Sequence, residues 1–253
     1  MYSDTQLREI FHFCFLERLL RLTSPELYSL KGGVNLRFFF NSPRYSEDMD
    51  LDVTAGSVAT LKKNGYKILE DAAFIRNLKT FGIAGIELND PQKAKHTETT
   101  QRFRVGLINQ AGLRLPTRIE FSRRAQTTGA VTETVDPEVA RRYRKLSFRC
   151  RHYPAAIAVV QKIQALAGRS VVQARDVFDL YMLHMGGHLA PAAVAPASAT
   201  TRHQALEAAL SLTFADFQGQ VVEFLDKEHR AQYNSAAAWQ AMQETIVQVL
   251  DDA

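Results

Sequence analysis

The segment 31–53, KGGVNLRFFFNSPRYSEDMDLDV, limits the folds open to this chain more than any other part of it. Three aspartates in it, Asp48, Asp50 and Asp52, alternate with apolar residues. Because side chains alternate across a strand with period two, all three would lie on one face of a strand. Neighbouring carboxylates repel one another, so such a face needs water or a divalent cation beside it. The pattern predicts a strand that can hold Mg²⁺ and, through the metal, a substrate phosphate.

A pair of glycines precedes this acidic strand. Gly32 and Gly33 follow a short apolar run at 27–30, predicted to be a strand, and precede a predicted helix at 34–40. Glycine lets a backbone approach a ligand closely, and the free N–H groups at a helix start attract anions. This order predicts a triphosphate at the glycines and its metal ions at the aspartates. The alternative is an exposed acidic edge strand behind an ordinary turn. The chain has neither the P-loop motif nor the dinucleotide motif G-x-G-x-x-G.

Length and composition indicate a soluble globular protein of one large domain or two modest ones. The chain has 253 residues, of which 46% are hydrophobic and 23% charged. No apolar run approaches the roughly 20 residues that a membrane span needs, and the N-terminus lacks the order of a signal peptide. We therefore expect a cytoplasmic protein without a membrane partner. Cys14 and Cys150 are expected to be core or surface thiols, which disfavours a zinc site.

Basic residues concentrate in the middle of the chain, although the net charge is only +4. The residues of this basic set are Arg102, Arg104, Arg114, Arg118, Arg123, Arg124, Arg141, Arg142, Arg144, Lys145, Arg149 and Arg151. Such a density favours a polyanionic partner such as nucleic acid, because binding releases counterions. The alternative is a solvated face balanced by acids elsewhere.

Periodicity predicts several further elements. The predicted helices are 4–22, capped by Ser3 or Asp4, then 67–81, 154–168 and 171–185, with two or three more in 202–250. The predicted strands are 83–88, 101–109, 113–121 and 146–151, and the predicted loops are 89–100 and 190–198. His12 is expected to be a surface or hydrogen-bonded histidine, and His96 is not assigned as a metal ligand.

Lys162 is the only charge in a long apolar helix, so a buried anion or a paired acid should face it. A lysine is compact enough to bind a phosphate as a point charge. On the next helix, Arg175 and Asp179 lie four residues apart and are predicted to form a surface pair.

Two sets of motifs resemble the AbiEii/AbiGii-type nucleotidyltransferases. These are bacterial toxins and phage abortive-infection proteins of the DNA polymerase β-like nucleotidyltransferase superfamily. The glycine pair, the intervening helix and the string RYSEDMDLD match the family pattern R-[FY]-S-E-D-x-D-x-D behind a GG turn. The strings KIQALAGR and RDVFDL match its K-[IL]-x-A-L-x-x-R and R-D-[LVI]-[FY]-D-L elements. The resemblance is strongest at 30–53 and 158–183 and weakest after 190.

The resemblance implies an α+β fold, with a small mixed sheet and flanking helices at 1–153 and a helical domain at 154–253. The active site would lie in the cleft between the two. It implies that Asp48 and Asp50 bind two Mg²⁺ ions, and that Glu120, on the third predicted strand, shares one of them and acts as the base. The nucleotide-binding residues that it implies are Gly32, Gly33, Arg44, Ser46 and Lys162, and Asp176 would complete the active site.

Two of these roles have structural alternatives. Glu120 could be a surface residue paired with Arg118 or Arg123. Lys162 and Asp176 could pair with each other only to tie two helices together.

By the same resemblance, the chain transfers a nucleoside monophosphate from a nucleoside triphosphate to an RNA, with the tRNA 3′ end as the expected acceptor. This would block translation, and an antitoxin would be encoded nearby. Two other functions stay open. One is nucleotide transfer to a small molecule or a protein hydroxyl, and the other is a non-catalytic module that binds RNA or a protein partner.

Overall fold

The chain divides into two units in this computed structural model, which describes residues 2–89, 97–123 and 128–252. The first unit is Met1–Phe39 with Tyr45–Tyr153, and the second is Phe40–Arg44 with Pro154–Ala253. The predicted domains 1–153 and 154–253 stay a prediction. The contacts within the chain group residues 40–44 with the helical unit.

A mixed sheet of seven strands forms the first unit. The strands are β1 (Tyr28–Lys31), β2 (Asp48–Val53), β3 (Ile83–Leu88), β4 (Thr100–Asn109), β5 (Arg114–Ser122), β6 (Val131–Thr134) and β7 (Arg149–His152). Their order across the sheet is β3-β4-β5-β2-β1-β7-β6. The pairs β2–β5 and β1–β7 are parallel and the other four pairs are antiparallel. The acidic strand β2 thus lies at the centre, between strand β1, which Gly32 and Gly33 follow directly, and strand β5.

Five helices accompany this sheet: α1 (Asp4–Leu22), α2 (Gly32–Phe39), α3 (Val58–Leu69), α4 (Ala72–Lys79) and α5 (Pro137–Arg142). Helix α1 begins with a capping box, in which the Ser3 side chain accepts from the Gln6 backbone and the Gln6 side chain accepts from the Ser3 backbone. Its phenylalanines are buried in a core shared with β2 and β5. Cys14 and Cys150 are buried free thiols, and burial raises the pKa of Cys14 to about 11.

The second unit is helical. Its helices are α6 (Ala155–Gly168), α7 (Ala174–Met185), α8 (Pro191–Val194), α9 (Ala199–Ser211), α10 (Phe214–Gln220), α11 (Lys227–Tyr233) and α12 (Ala236–Asp251). Phe217 stacks on Trp239 with ring centroids 4.9 Å apart and contacts Phe178, and all three rings are buried. Within the described ranges, no helix is long and apolar enough to cross a membrane.

The predicted α+β class is confirmed, and the strands predicted at 83–88, 101–109 and 113–121 are each present to within one residue. The single helix predicted at 67–81 is wrong. The Asp71 side chain accepts from the Ala73 and Phe74 backbone N–H groups, so it caps a second helix and separates α3 from α4.

Other short elements differ from the prediction. Strand β6 and helix α5 lie in a stretch that looked polar and basic, and α8 lies in the predicted loop 190–198. The described part of 202–250 contains four helices rather than two or three, because Thr213, Asp226 and Ser235 each cap a new start. Phe217 and Trp239 are buried core residues as predicted, whereas Phe214 and Phe224 are only half-buried.

Candidate active site

The predicted alternation along β2 is present. Met49 and Leu51 are fully buried, while Asp48 and Asp50 on the opposite face are half-buried. Asp52, the third aspartate, is buried instead. A ligand can therefore reach the carboxylates of Asp48 and Asp50 but not the carboxylate of Asp52.

Glu120 lies beside these carboxylates on the neighbouring strand. The parallel register of β2 and β5 pairs Asp50 with Glu120, and the antiparallel register of β1 and β2 pairs Asp50 with Lys31. Paired residues point to the same face, and adjacent strands lie about 4.8 Å apart. The sheet therefore brings the three predicted metal-binding residues, Asp48, Asp50 and Glu120, onto one face of two adjacent strands.

Gly32 approaches the same carboxylates from β1. It has a positive φ of 69°, and a Cβ added to it would lie 3.1 Å from Oδ2 of Asp50. A side chain at this position would therefore strain the backbone and press on the carboxylate. Gly32 and Gly33 are also the first two residues of α2, where backbone N–H groups lack partners within the helix. This end of β1 is open to a ligand that needs close backbone contact.

The entry to β2 is fixed by hydrogen bonds. Ser46 Oγ donates to the carbonyl of Asp48 at 2.8 Å. Thr117 Oγ1 donates to the carbonyl of Glu47 at 2.6 Å and so accepts from Nε2 of His12 at 2.8 Å. His12 is fully buried, and burial, aided by the Arg8 charge, lowers the pKa of His12 to about 3. His12 is therefore a neutral, hydrogen-bonded histidine, which confirms one of its two predicted environments.

Two acids on this polar face, Asp48 and Glu120, have a basic partner. Arg118 contacts Asp48 at 2.7 Å, and Arg102 contacts Glu120 at 2.6 Å. The alternative to a catalytic role for Glu120 was a surface salt bridge with Arg118 or Arg123. That prediction was wrong about the partner, which is Arg102. The reason is the register, which places Arg102 of β4 directly opposite Glu120.

The Asp52 carboxylate is bound by two side chains of the first unit. Lys31 Nζ lies 2.6 Å from its Oδ1, and the hydroxyl of Tyr153 donates to its Oδ2 at 2.8 Å. These contacts tie β1 and the segment after β7 to the acidic strand, so the sequence pattern overstated the number of aspartates at the site.

The donor set of this face suits a divalent metal. Carboxylate oxygens are the ligands that hard cations such as Mg²⁺ prefer, and Asp48 and Asp50 present two of them side by side. The approach of Gly32 leaves room at Asp50 that any other residue would occupy. In the described part of the chain, no group of three or more His, Cys, Asp or Glu side chains is close enough to form a metal site unaided. Asp48 and Asp50, with Glu120 beside them, would hold a metal together with substrate oxygens.

The second unit contains a buried ion cluster around Lys162. Its Nζ lies 3.0 Å from Oδ1 of Asp176 and 2.5 Å from Oδ2 of Asp179. Arg44 donates to both carboxylate oxygens of Asp179, and Arg169 contacts Asp176 at 2.7 Å. The paired acid expected opposite Lys162 is therefore present. The structure contains the Lys162–Asp176 pairing that was the alternative to a catalytic role, while a phosphate contact of Lys162 stays a prediction.

The contacts within this cluster shift the pKa values of Lys162, Asp176 and Asp179 toward the ionised forms. Burial alone would raise the pKa of Asp176, but Lys162 and Arg169 outweigh it and hold that pKa at about 2. Burial likewise opposes the charge on Asp179, where Arg44 and Lys162 outweigh it and lower the pKa. Burial lowers the pKa of Lys162, yet the two aspartates raise it above its ordinary value. The interior of the helical unit thus contains two cations, Arg44 and Lys162, in contact with two anions, and the exposed Arg169 contacts Asp176 from the surface.

Asp179 is the clearest error of the sequence analysis. It was predicted to form a surface pair with Arg175, but it is fully buried and bonded to Arg44 and Lys162. The missed signal is the spacing of Asp176 and Asp179, because residues three apart share a helix face. Arg44 is also buried, and its guanidinium is directed to Asp179, so its predicted triphosphate contact stays a prediction.

The basic set is partly neutralised. Arg102 and Arg118 pair with acids of the site, Arg141 pairs with Glu138, and Arg123 donates to the carbonyl of Gly56. Arg124 and His96 lie outside the described residues.

These features define a class of enzyme. A central acidic strand, a glycine bend directly after one neighbouring strand and an acid on the other are the arrangement expected of a nucleotidyltransferase. The family model described as "Nucleotidyl transferase AbiEii toxin, Type IV TA system" matches residues 14–253, and the chain belongs to that family. It is a nucleotidyltransferase toxin of a toxin–antitoxin system, and the family implies an antitoxin partner. Enzymes of the family generally use a nucleoside triphosphate and a divalent metal ion.

Solved structures share the fold. The MenT4 nucleotidyltransferase toxin of Mycobacterium tuberculosis has a TM-score of 0.65 and 18% identity, over 99% of this chain and 85% of that one. A candidate nucleotidyltransferase from H. pylori has a TM-score of 0.57 and 18% identity, over 100% and 98% of the two chains. JHP933 from Helicobacter pylori has a TM-score of 0.55 and 18% identity, over 100% and 95%. The comparison with curated proteins found no match.

Proposed function

We propose that this toxin transfers a nucleoside monophosphate from a nucleoside triphosphate to a hydroxyl of an RNA, with the tRNA 3′ end as the acceptor, and so inhibits translation. The observation that carries the proposal is the placement of Asp48 and Asp50 between Gly32 and Glu120 on one face of the sheet. Arg104, Arg114 and Arg118 line a pocket next to Asp48 and support a polyanionic acceptor. A cytoplasmic location and a role in abortive infection follow as further predictions.

Mg²⁺ is the proposed cofactor, with Asp48 and Asp50 as its protein ligands and Glu120 shared with a second ion. When bound, it supplies positive charge to the reacting phosphate and to the two oxygens that enter and leave. Gly32 and Gly33 would offer backbone N–H groups to the triphosphate, and Ser46 would hold β2 in place through the Asp48 carbonyl.

The reaction would proceed by in-line displacement. The acceptor hydroxyl oxygen forms a bond to the α-phosphorus, the bond from that phosphorus to the bridging oxygen breaks, and pyrophosphate leaves. Arg102 contacts Oε2 of Glu120, so Oε1 is the atom proposed to take the hydroxyl proton. The predicted roles of Arg44, Lys162 and Asp176 stay separate predictions, because those residues belong to the second unit.

The test is transfer of label from α-labelled nucleotides. Each of the four nucleoside triphosphates would be incubated with deacylated tRNA, with total cell protein and with small hydroxyl acceptors, before and after EDTA and Mg²⁺ addition. We expect Mg²⁺-dependent labelling of tRNA. Asp48→Asn should reduce it by at least about 100-fold, since even residues behind a metal ligand cost 10–100-fold.

Glu138→Gln is the matched control. It removes an exposed carboxylate from α5, whose partner is Arg141, and should retain labelling. Undiminished labelling by Asp48→Asn, with an unchanged thermal midpoint, would contradict the metal assignment. Labelling of protein or of a small acceptor in place of tRNA would favour the second function class, and Mg²⁺-dependent nucleotide binding without transfer would favour the third.

A further inference from the structure

A pocket of about 240 Å³ opens on the polar face of the sheet next to Asp48. Its basic lining residues are Arg104, Arg114 and Arg118, and Glu47 and Asp48 lie at its β2 side. All of these residues belong to the first unit. The volume is below the roughly 300–1,000 Å³ of typical small-molecule sites, so the pocket fits a group the size of a phosphate better than a whole nucleotide.

The sheet register arranges these arginines in a row that leads away from the carboxylates. Arg118 on β5 pairs with Asp48 on β2, and Arg104 on β4 pairs with Arg118. Because adjacent strands lie about 4.8 Å apart, the two arginines stand roughly 5 and 10 Å from the acidic strand. Positive charge therefore increases with distance from β2 toward β4.

Arg114 is held in place by its surroundings. Its Nε donates to Glu87 at 3.1 Å and one terminal nitrogen donates to Asn89 at 3.4 Å. A Cβ added to Gly106 would collide with the Arg114 guanidinium, so the side chain lies across the bare backbone of β4. A guanidinium fixed in this way loses little rotamer freedom when it binds an anion.

Arg104 supplies a charge that no carboxylate of the described residues compensates. Across residues 2–89, 97–123 and 128–252, no carboxylate lies within ion-pair distance of its guanidinium, which is exposed at the pocket. Guanidinium groups bind phosphate through two parallel hydrogen bonds. One unpaired and two oriented arginines in a concave site thus form a place for a phosphate.

The sheet topology indicates which of the two substrates carries the phosphate that this pocket would bind. The glycine bend reaches β2 from β1, while the arginine pocket reaches it from β5 and β4, on the opposite side of the same strand. A triphosphate at the glycines would leave the arginine side to the other substrate. We propose that Arg104, Arg114 and Arg118 bind a backbone phosphate of the acceptor RNA and so orient its terminal hydroxyl toward Asp48. This inference rests on the proposed RNA acceptor.

The test compares Arg104→Gln, Arg114→Gln and the double variant with Arg149→Gln. Arg149 is an exposed arginine of β7, on the far side of the sheet from the pocket, and donates to the carbonyl of Thr132. Transfer to deacylated tRNA would be measured at several salt concentrations, with the KM for tRNA and the KM for the nucleotide determined separately.

We expect the KM for tRNA to rise by about tenfold per arginine near 0.1 M salt. The slope of log affinity against log salt should fall by about one for each, since each phosphate contact contributes roughly one unit. The KM for the nucleotide should stay unchanged in every variant. Arg149→Gln should keep the wild-type KM for tRNA. A second arm uses tRNA in which the phosphates near the 3′ end are replaced singly by neutral methylphosphonates. One of these methylphosphonate substitutions should raise the KM of the wild type for tRNA and have little effect on the KM of the double variant.

Two failures are distinguishable. If the wild type labels tRNA but the double variant keeps the wild-type KM and salt slope, the pocket does not bind the acceptor and the proposed function stands. If the wild type labels no RNA, the proposed function fails and this inference fails with it.

Discussion

Arg44 donates two hydrogen bonds to Asp179, 3.1 Å from Nε and 2.9 Å from a terminal nitrogen, although 135 residues separate the two in sequence. The pair is buried, and Lys162 contacts the same carboxylate. The turn before the acidic strand therefore belongs energetically to the helical unit. Arg44 belongs to the first family motif and Asp179 to the second.

Removing the Asp179 charge should destabilise the helical unit. Asp179→Asn keeps the side-chain shape but leaves Arg44, Lys162 and Arg169 with one carboxylate, that of Asp176. Breaking a buried ion pair costs about 3–5 kcal/mol, so the free energy of unfolding should fall by that amount. Fluorescence of Trp239, the single tryptophan and a buried residue of this unit, would follow urea unfolding.

Arg175→Gln is the control for this experiment. Arg175 lies on the same helix but is half-buried, so its replacement should change the free energy of unfolding by no more than about 0.5 kcal/mol. Equal effects of the two substitutions would show that the buried cluster contributes no more than a half-buried arginine on the same helix.

Gly32 and Gly56 separate backbone strain from contact with the site. Both have a positive φ, 69° and 94°, but an added Cβ meets Asp50 only at Gly32 and meets nothing within 4 Å at Gly56. Each change to alanine should cost about 1–2 kcal/mol of stability. Nucleotide transfer should fall sharply in Gly32→Ala alone, as measured by labelling at a temperature where both variants are folded. Full activity of Gly32→Ala would mean that close approach at Asp50 is not needed.

The sequence predicted what depends on local pattern and missed what depends on long-range pairing. The alternation in β2 and the glycine bend are local, and both are present as predicted. The partner of Glu120 depends on strand register, which places Arg102 opposite it, and no periodicity specifies that choice. Asp179 was misplaced for a similar reason, because its partner Arg44 lies 135 residues away. Cap residues such as Asp71 were readable in principle but were overlooked within a continuous helical pattern.

Arg118 should compete with a divalent metal for Asp48. The two side chains are 2.7 Å apart and are 35% and 27% exposed. A partly exposed pair of this kind contributes about 0.2–1 kcal/mol, so Arg118→Gln should tighten Mg²⁺ binding by up to about fivefold. Calorimetric titration of Mg²⁺ in the presence of a non-hydrolysable nucleotide would measure it. Arg141→Gln, which removes an exposed arginine paired with Glu138, should have no effect. Weaker Mg²⁺ binding in Arg118→Gln would mean that the arginine orients the carboxylate rather than competing for it.

His12 should make the stability of the first unit depend on acid pH. Its folded-state pKa is about 3 because of burial, whereas an unfolded histidine titrates near 6.5. Between these values the unfolded chain binds a proton that the folded chain does not, so stability is complete above pH 6.5 and falls as the pH decreases toward 3. The loss should approach about 1.4 kcal/mol per pH unit, measured by urea unfolding with circular dichroism between pH 7.5 and 4.5.

His12→Gln should remove most of this dependence. The amide can still donate to Thr117 Oγ1 but cannot take up a proton. A smaller slope of the same sign should remain, because burial also lowers the pKa of His152. The control His203→Gln removes an exposed histidine of α9 and should leave the slope unchanged. If His12→Gln and the wild type lose stability equally between pH 6.5 and 4.5, burial does not keep His12 neutral in the folded chain.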